Sequence, residues 1–531
     1  MIDFETNFVE TLPGDPDFDN HPRQVANSCY SYTLPRPASS PKLIAFSESC
    51  AKLIDIEPDS CNSSAFIQIM CGNYIPTGTK PYAMCYGGHQ FGSWAGQLGD
   101  GRAINLGEIT NKNGDKWSLQ LKGAGPTPYS RTADGLAVLR SSIREFICSE
   151  WMHYLGVPTT RALSLLSTGD EVLRDMFYDG NPQLEKGAIV ARLSRSFIRF
   201  GNFELLAARG ELETLKKLLI YCINENPEMG NITTNLSNSE FKKQTVSFFN
   251  WVCKKTADLI VQWMQLGFVH GVMNTDNMSI MGLTIDYGPF GWLESYDENW
   301  TPNTTDLPGR RYCYGKQPEI AFWNLYQLAN ALHQLDIEEG FLVKCLDDYK
   351  DRYIGTWRKT FVRKLGFNHY LGKKHDVLIN SLIQIFKQYQ VDWTIFFRKL
   401  SSIGLEINEE TKEKNFKIIK ESCYENTSLD FETEISGWIN NYIYQIKSEQ
   451  INLIDRTTIM DTTNPLYVPR NYILQLAIEK AQEEDFSVIS EIMQVMKDPY
   501  RDQGPTFAKF QGKRPAWAKN KPGCSSLSCS S

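Results

Sequence analysis

Residues 86–125 read YGGHQFGSWAGQLGDGRAINLGEITNKNGDKWSLQLKGAG, and seven of the twenty-one residues from Gly87 to Gly107 are glycine. RAINLGEI and KWSLQLKGAG alternate apolar and polar residues about the segment NKNGD, which predicts a hairpin turning at Asn113-Gly114 with Lys122 near a strand end. Glycines let a backbone approach a ligand closely and present consecutive N–H groups, and an ammonium on a neighbouring strand suits a phosphate. The stretch therefore points to a nucleotide site. A nucleotide site needs acids for a metal, and GFVHGVMNTDNMSIMGLTIDYG (267–288) supplies Asp276, Asn277 and Asp286 compactly.

Outward from the glycines the periodicity changes. Leu139, Ile143, Phe146, Ile147, Trp151 and Leu155 recur at helical spacing until Gly156 and Pro158 stop the run, predicting a helix over 135–155 with Glu145 beside its apolar stripe. RALSLLS (161–167), EVLRDMF (171–177) and GAIVARLS (187–194) read as three strands, and helices dominate after Ser194–Ser196. A long amphipathic helix is expected over Lys243–Leu266, ended by Gly267. Short strands are expected at Met278–Ile280 and in LTIDYG, and further helices near Ile320–Leu335, Asp376–Tyr389 and Arg470–Ala481. The first eighty residues, rich in Pro, Asn and Ser, read as an extended, turn-rich arm with short helical pieces that wraps the body, and the tail from Lys509 as poorly ordered apart from its aromatic residues.

At 531 residues, 42% hydrophobic and 22% charged, the chain has the composition of a globular protein large enough for two lobes. A net charge of -7 argues against a dedicated nucleic-acid binder. Thirteen scattered cysteines without a CxxC pair fit a reducing compartment and no structural zinc. No apolar run approaches a membrane span, and the acidic start lacks a signal-peptide core. The expectation is a cytoplasmic monomer of bacterial type, or a mitochondrial protein with an atypical import signal if eukaryotic.

Taken together, a Gly-rich hairpin, a strand lysine, a helix glutamate and a later loop with Asp-x-Gly follow the chain order of a protein-kinase-like nucleotide site. Gly99 and Gly101 would cover phosphates, Lys122 paired with Glu145 would hold them, and Asn277 and Asp286 would ligate a divalent ion. Asp276 is left as general base. Each signal alone has an ordinary reading: glycine turns, a solvated strand lysine, a surface helix glutamate, a turn-capping aspartate. His89 and His270 read as hydrogen-bonded structural residues. The ordered set carries the inference.

At this point the chain resembles the selenoprotein O family of kinase-fold protein adenylyltransferases. The resemblance runs from the opening stretch through LQLKGAGPTPYSRTADGLAVLRSSIREF (119–146), ARLSRSFIRFGNFE (191–204), GVMNTDNMSI (271–280) and TIDYGPFGWL (284–293) to the closing Cys-Ser-Ser. It implies an α+β, bilobal protein-kinase-like fold with a β-rich N-lobe and a mostly helical C-lobe. The expected division is an arm over 1–80, the N-lobe over 81–195, the C-lobe over 196–508 and a Cys-containing tail over 509–531. ATP would lie reversed, its alpha-phosphate toward the acceptor, so that AMP passes to a Ser, Thr or Tyr hydroxyl of a protein, in a role tied to redox homeostasis. The resemblance also implies that Gly99, Gly101, Arg102, Asp134 and Gly135 border the nucleotide, that Arg192 and Arg199 hold its terminal phosphates, and that Asp276 is the acid-base residue. Asn277 and Asp286 would ligate magnesium, with manganese as the alternative.

The residues support that reversal independently. His270 stands six residues before Asp276 and Asn277 directly follows it, unlike the His-Arg-Asp loop of ordinary kinases, whose asparagine stands five residues past the aspartate. Arg192 and Arg199 add more positive charge at the lobe boundary than an ordinary kinase cleft requires. The tail departs from selenium-containing members: Cys529 stands at the selenocysteine position and Ser526 at its partner's, leaving Cys524 as an alternative redox partner. An ordinary kinase, a silent ATP-binding scaffold and a UTP-using nucleotidyltransferase stand as the rival readings.

Overall fold

The computed structural model describes residues 2–176, 179–230, 237–425 and 428–528. Among the described residues ten strands precede residue 195: β1 (Tyr30–Tyr32), β2 (Lys42–Phe46), β3 (Tyr82–Met84), β4 (Gly87–Gln90), β5 (Ser93–Gln97), β6 (Ala103–Thr110), β7 (Lys116–Lys122), β8 (Ala137–Val138), β9 (Arg161–Arg174) and β10 (Gln183–Ser194). Eight form one antiparallel sheet in the order β1-β3-β6-β7-β10-β9-β2, with β8 pairing β10, while β4 and β5 make a separate hairpin. The chain is α+β.

The predicted hairpin is β6–β7, its turn at Asn113-Gly114, where Gly114 has φ 82°. Asn111 fixes that turn by accepting the Asn113 and Asp115 N–H groups through Oδ1. RALSLLS and the start of EVLRDMF are one strand, β9, rather than two; Gly169, at φ 81°, lies inside it, and Phe177 is outside the described residues. Residues before 81 do more than wrap the body, since both edges of the large sheet, β1 and β2, come from them.

Alternation along the central strands separates two faces. Leu119, Leu121, Ile189, Ala191 and Leu193 pack against Cys50, Ile54, Phe66, Met70 and Cys71 from the short helices after β2. Ala162, Leu165, Ala188 and Val190 pack against Ile143, Phe146, Ile147 and Trp151 of the helix Leu139–Tyr154, the predicted helix shortened at its start by β8. That helix is buried nearly all round, so its polar residues need partners inside. Arg161 supplies them for Glu150 with two hydrogen bonds of 2.8 and 2.7 Å.

After β10 the chain is helical. The long helix spans Asn238–Leu266 and ends on Gly267 in the left-handed conformation (φ 76°), as its sequence predicts. The later helices expected from periodicity are Gln317–His333, Lys373–Gln388 and Asn471–Gln482. Phe268–Val269 pairs with Gly291–Trp292 and closes a loop over residues 270–290. Met278–Ile280 and LTIDYG are not strands: Ser279 and Thr284 make only isolated bridges, to Arg199 and Thr159. Positive φ at Gly282 (64°) and Asp286 (57°) breaks the extended path there. Among the described residues no helix is long and apolar enough to cross a membrane.

Residues 509–528, expected to be poorly ordered, pack on the helical part. Phe510 and Leu527 are buried, the Thr304 N–H donates to the Leu527 carbonyl at 2.7 Å, and the Asn471 side chain donates to the Cys524 carbonyl at 3.1 Å. Their few apolar side chains find sites that a polar local composition does not announce. Cys524 is buried, and burial pushes its thiol up to about 11; Cys529 lies outside the described residues. Iodoacetamide at about pH 7 is expected to leave Cys524 unmodified in the folded chain and to alkylate it after denaturation, read by peptide mass spectrometry. Native-state alkylation would contradict the burial.

Candidate active site

A cavity of about 720 Å³ opens between the β strands and the 270–290 loop. Gly99, Gly101, Arg102, Lys122, Asp134, Gly135, Arg192, Asp276, Asn277 and Asp286 all line it. The sequence's candidates thus come from both halves of the chain onto one surface. Glu145 lines a small adjoining cavity behind Lys122. Arg199 lies outside the main lining, buried behind Asp286.

Strand register sets the basic end. Lys122, the last residue of β7, shares a face with Gln120, and Arg192 of β10 sits opposite Gln120. Lys122 Nζ lies 2.5 Å from Glu145 Oε2 and 3.5 Å from Asp286 Oδ1. Arg192 Nη1 donates to Glu145 Oε1 at 2.6 Å and to Asp286 Oδ1 at 2.7 Å, while Nη2 donates to Gln120 Oε1. Arg199 Nη1 donates to Asp286 Oδ2 at 2.5 Å and to the Asp276 carbonyl at 3.0 Å, its guanidinium 4.6 Å from the centre of the Tyr86 ring. One carboxylate, Asp286, thus ties three cations together.

The electrostatics follow from burial and these pairs. Burial works to raise the Asp286 carboxyl, yet Arg199, then Arg192 and Lys122, hold it well below the usual carboxylate range. Glu145 is lowered too, burial being outweighed by Lys122 and Arg192. Asp276 shows the opposite behaviour. Burial pushes its carboxyl up to about 7, with a single side-chain donor, Gln90 Nε2, 3.2 Å from Oδ2, and a buried Oδ1 that has no hydrogen-bond partner.

The 270–290 loop is held from several sides. His270 is buried, stacks on Trp263 at 5.4 Å and donates from Nε2 to the Ile285 carbonyl at 2.9 Å, fixing the peptide that precedes Asp286. Burial lowers its pKa, which keeps the ring neutral. His89 also has a structural setting, its Nδ1 2.5 Å from Glu204 Oε2. The His89 N–H donates to Thr275 Oγ1 at 2.7 Å, and the Phe91 N–H donates to Asn274 Oδ1 at 3.2 Å, so β4 is clipped to the loop.

Several glycines are required by the protein's own packing. A Cβ on Gly99 would stand 2.4 Å from the Tyr129 ring and one on Gly101 2.9 Å from the Tyr129 carbonyl, both in the connection from β5 to β6. Gly135, at φ 72°, would bring a Cβ within 2.2 Å of the Gly125 carbonyl. Asp134 is exposed and pairs with Arg174, which bonds both carboxylate oxygens at 2.7 and 2.6 Å. Arg102 is exposed at the cavity wall.

Sequence reasoning missed four supporting residues. Asp100 is buried and accepts from Met84 N, Asn105 Nδ2 and Gln120 Nε2; Gln120 in turn orients Arg192. Asn274 joins the loop to Tyr312, whose hydroxyl donates to its Oδ1 at 2.5 Å. Gly88 leaves room for Asp276, whose Oδ1 would lie 2.9 Å from a Cβ there. A polar residue two positions before Lys122 on the same strand face was a legible signal for Gln120; the others had none at short range.

Asn277 and Asp286 bring hard oxygen donors to the cavity: Asn277 Nδ2 donates to the Val272 carbonyl at 2.9 Å, leaving its Oδ1 free of protein donors among the described residues, while the two Asp286 oxygens accept from Arg192 and Arg199 and would have to be shared with an ion. Among the described residues no group of three or more His, Cys, Asp or Glu could hold a metal. An ion here would therefore complete its shell with phosphate oxygens and water, the habit of magnesium.

Comparison with known proteins places this geometry in a lineage. The family model described as Protein adenylyltransferase SelO matches residues 16–497. The chain is 48% identical to "Protein nucleotidyltransferase YdiU" of Methylobacillus flagellatus, over 100% of both chains. It is 49% identical to the protein of the same name from Flavobacterium johnsoniae, over 100% of this chain and 99% of that one, and 47% identical to that from Rhodopirellula baltica, with the same coverage. Those matches span nearly the whole of each protein, glycine-rich stretch and Asp276–Asp286 segment included, and the chain belongs to the SelO family of protein adenylyltransferases.

Proposed function

We propose that this nucleotidyltransferase moves AMP from ATP onto a Ser, Thr or Tyr hydroxyl of a protein substrate, in a bilobal, kinase-like body. The lobes would be residues 81–195 and 196–508, with 1–80 as an accessory arm and 509–531 as a tail. The observation that carries the reading is the convergence of Lys122, Arg192, Asp286 and Asp276 on one cavity large enough for a nucleotide.

In this reading the acceptor oxygen attacks the alpha-phosphorus in line, its proton passes to Asp276, and pyrophosphate leaves. Lys122, kept in place by Glu145, binds phosphate oxygens, and Arg192 and Arg199 turn from Asp286 to the terminal phosphates. Gly99, Gly101, Arg102, Asp134 and Gly135 border the nucleotide. Magnesium or manganese held by Asn277 and Asp286 would supply charge neutralisation at the phosphates. Positioning and electrostatics, rather than a covalent enzyme intermediate, do the chemistry.

The test is incubation of the purified chain and protein acceptors with ATP labelled at the alpha or the gamma position. The expected result is protein-bound alpha label with release of pyrophosphate and no gamma label. Gamma label on protein would make the chain an ordinary kinase, and ATP binding without either label would make it a silent scaffold. An arm with alpha-labelled UTP decides the nucleotide, more label from UTP than from ATP overturning the choice of ATP.

A further inference from the structure

Beside the Asp276 loop, but outside the reaction cavity, Arg311 has an unusual setting. Its guanidinium lies 4.6 Å from the Trp323 ring centre and 5.8 Å from that of Tyr312, and a Cβ on Gly92 would be 3.3 Å from its central carbon. Its Nε is buried without a hydrogen-bond partner. Among the described residues no carboxylate pairs with it: Asp306, five residues upstream, uses its two oxygens on the Arg311 and Tyr312 N–H groups. A half-buried arginine without a counter-charge is costly to hold, whereas a guanidinium flattened on an indole is oriented to receive a carboxylate in a fork.

The position of Arg311 says which carboxylate. The Tyr312 hydroxyl bonds Asn274, two residues before Asp276, and accepts from the Phe91 N–H at 2.9 Å. Gly92, on which Arg311 rests, is two residues past Gln90, the donor to Asp276. A chain presenting a hydroxyl to Asp276 would therefore cross the β4–β5 hairpin beside Arg311. That hairpin offers Phe91 and Trp94, 38% and 41% exposed, and the Trp94, His89 and Trp323 rings continue in contact at 5.1 and 5.3 Å toward Arg311. Exposed aromatics beside an unpaired cation are a surface for an extended, acid-bearing segment.

We propose that Arg311 reads an Asp or Glu side chain of the acceptor protein, docked across the β4–β5 hairpin within a few residues of the modified hydroxyl. The inference rests on the transfer reading above and adds to it a substrate class: hydroxyls flanked by acid. Arg311 is a specificity residue and takes no part in the bond changes.

The experiment compares the native chain, Arg311→Glu and Arg311→Gln on synthetic peptides carrying one Ser, Thr or Tyr, with Asp, Ala or Lys scanned through the flanking positions and alpha-labelled ATP as donor. With the native chain, Asp at one or two positions is expected to exceed Lys by about tenfold, a factor within reach of a partly desolvated charge pair. Arg311→Glu should invert that preference and Arg311→Gln should flatten it, while ATP affinity stays native. An unchanged preference in either variant, or native labelling indifferent to flanking charge, overturns the assignment of Arg311 alone. If the native chain labels neither any peptide nor any intact protein acceptor, the transfer reading itself fails, and this one with it.

Discussion

Asp286→Asn is expected to lower transfer of label from alpha-labelled ATP to protein by at least about a thousandfold, the scale of losing a charge aimed at a phosphoryl transition state together with a metal ligand. Asp286 sits among Lys122, Arg192 and Arg199, both of its oxygens accepting from a guanidinium. The amide keeps the shape and one acceptor, so the variant should fold and still lose activity. Asp286→Ala should lose activity and also about 3 kcal/mol of stability, because it leaves buried arginines short of their partner. Arg192 retains Glu145 and Gln120, which limits the damage on its side; Arg199 retains backbone carbonyls, the Tyr86 ring face and Asp100 at 3.9 Å, with no close carboxylate among the described residues. Denaturant unfolding beside the label assay separates the two effects. Native transfer in Asp286→Asn would reject the role of this carboxylate.

The second large effect is expected at Asp276→Asn, with transfer falling by about 10² to 10⁴, the range for removing a positioned general base. Asp276 is buried at the cavity lining, with Oδ2 held by the single side-chain donor Gln90 and Oδ1 packed against Gly88 without a partner, so the side chain is fixed but its charge is little satisfied by the protein. The asparagine is isosteric, cannot accept the proton, and replaces a buried carboxylate by a neutral group. ATP affinity, measured by calorimetry, should therefore stay near native while turnover collapses. Turnover within tenfold of native would remove Asp276 from the chemistry and leave it a structural residue of the loop.

These expectations rest on features of unequal legibility. The β6–β7 hairpin, the helix carrying Glu145 and the long helix ended by Gly267 follow from alternation, helical spacing and one glycine in the left-handed region, all local properties of the chain. Residues 278–287 misled the same reasoning. LTIDYG alternates like a strand, but Asp286 takes a positive φ because its carboxylate is held by Arg192 and Arg199, partners 94 and 87 residues away. The tail misled it in the other direction beyond its aromatic residues, its polar composition hiding how well Leu527 fills a site on the helical part.

By itself the sequence determined the kinship, the α+β class, the order of the site's parts along the chain and the residue types able to bind phosphate and a hard cation. Only the tertiary structure decided which of those charges neutralise one another. It put Arg199 behind Asp286 instead of at the cavity wall, hung Arg192 between Glu145 and Asp286, supplied both sheet edges from the first eighty residues and left Asp276 and Arg311 without full complements of partners. The physical reason is range: backbone periodicity is set by neighbours a few residues away, whereas desolvation and charge pairing depend on whatever the rest of the chain brings alongside.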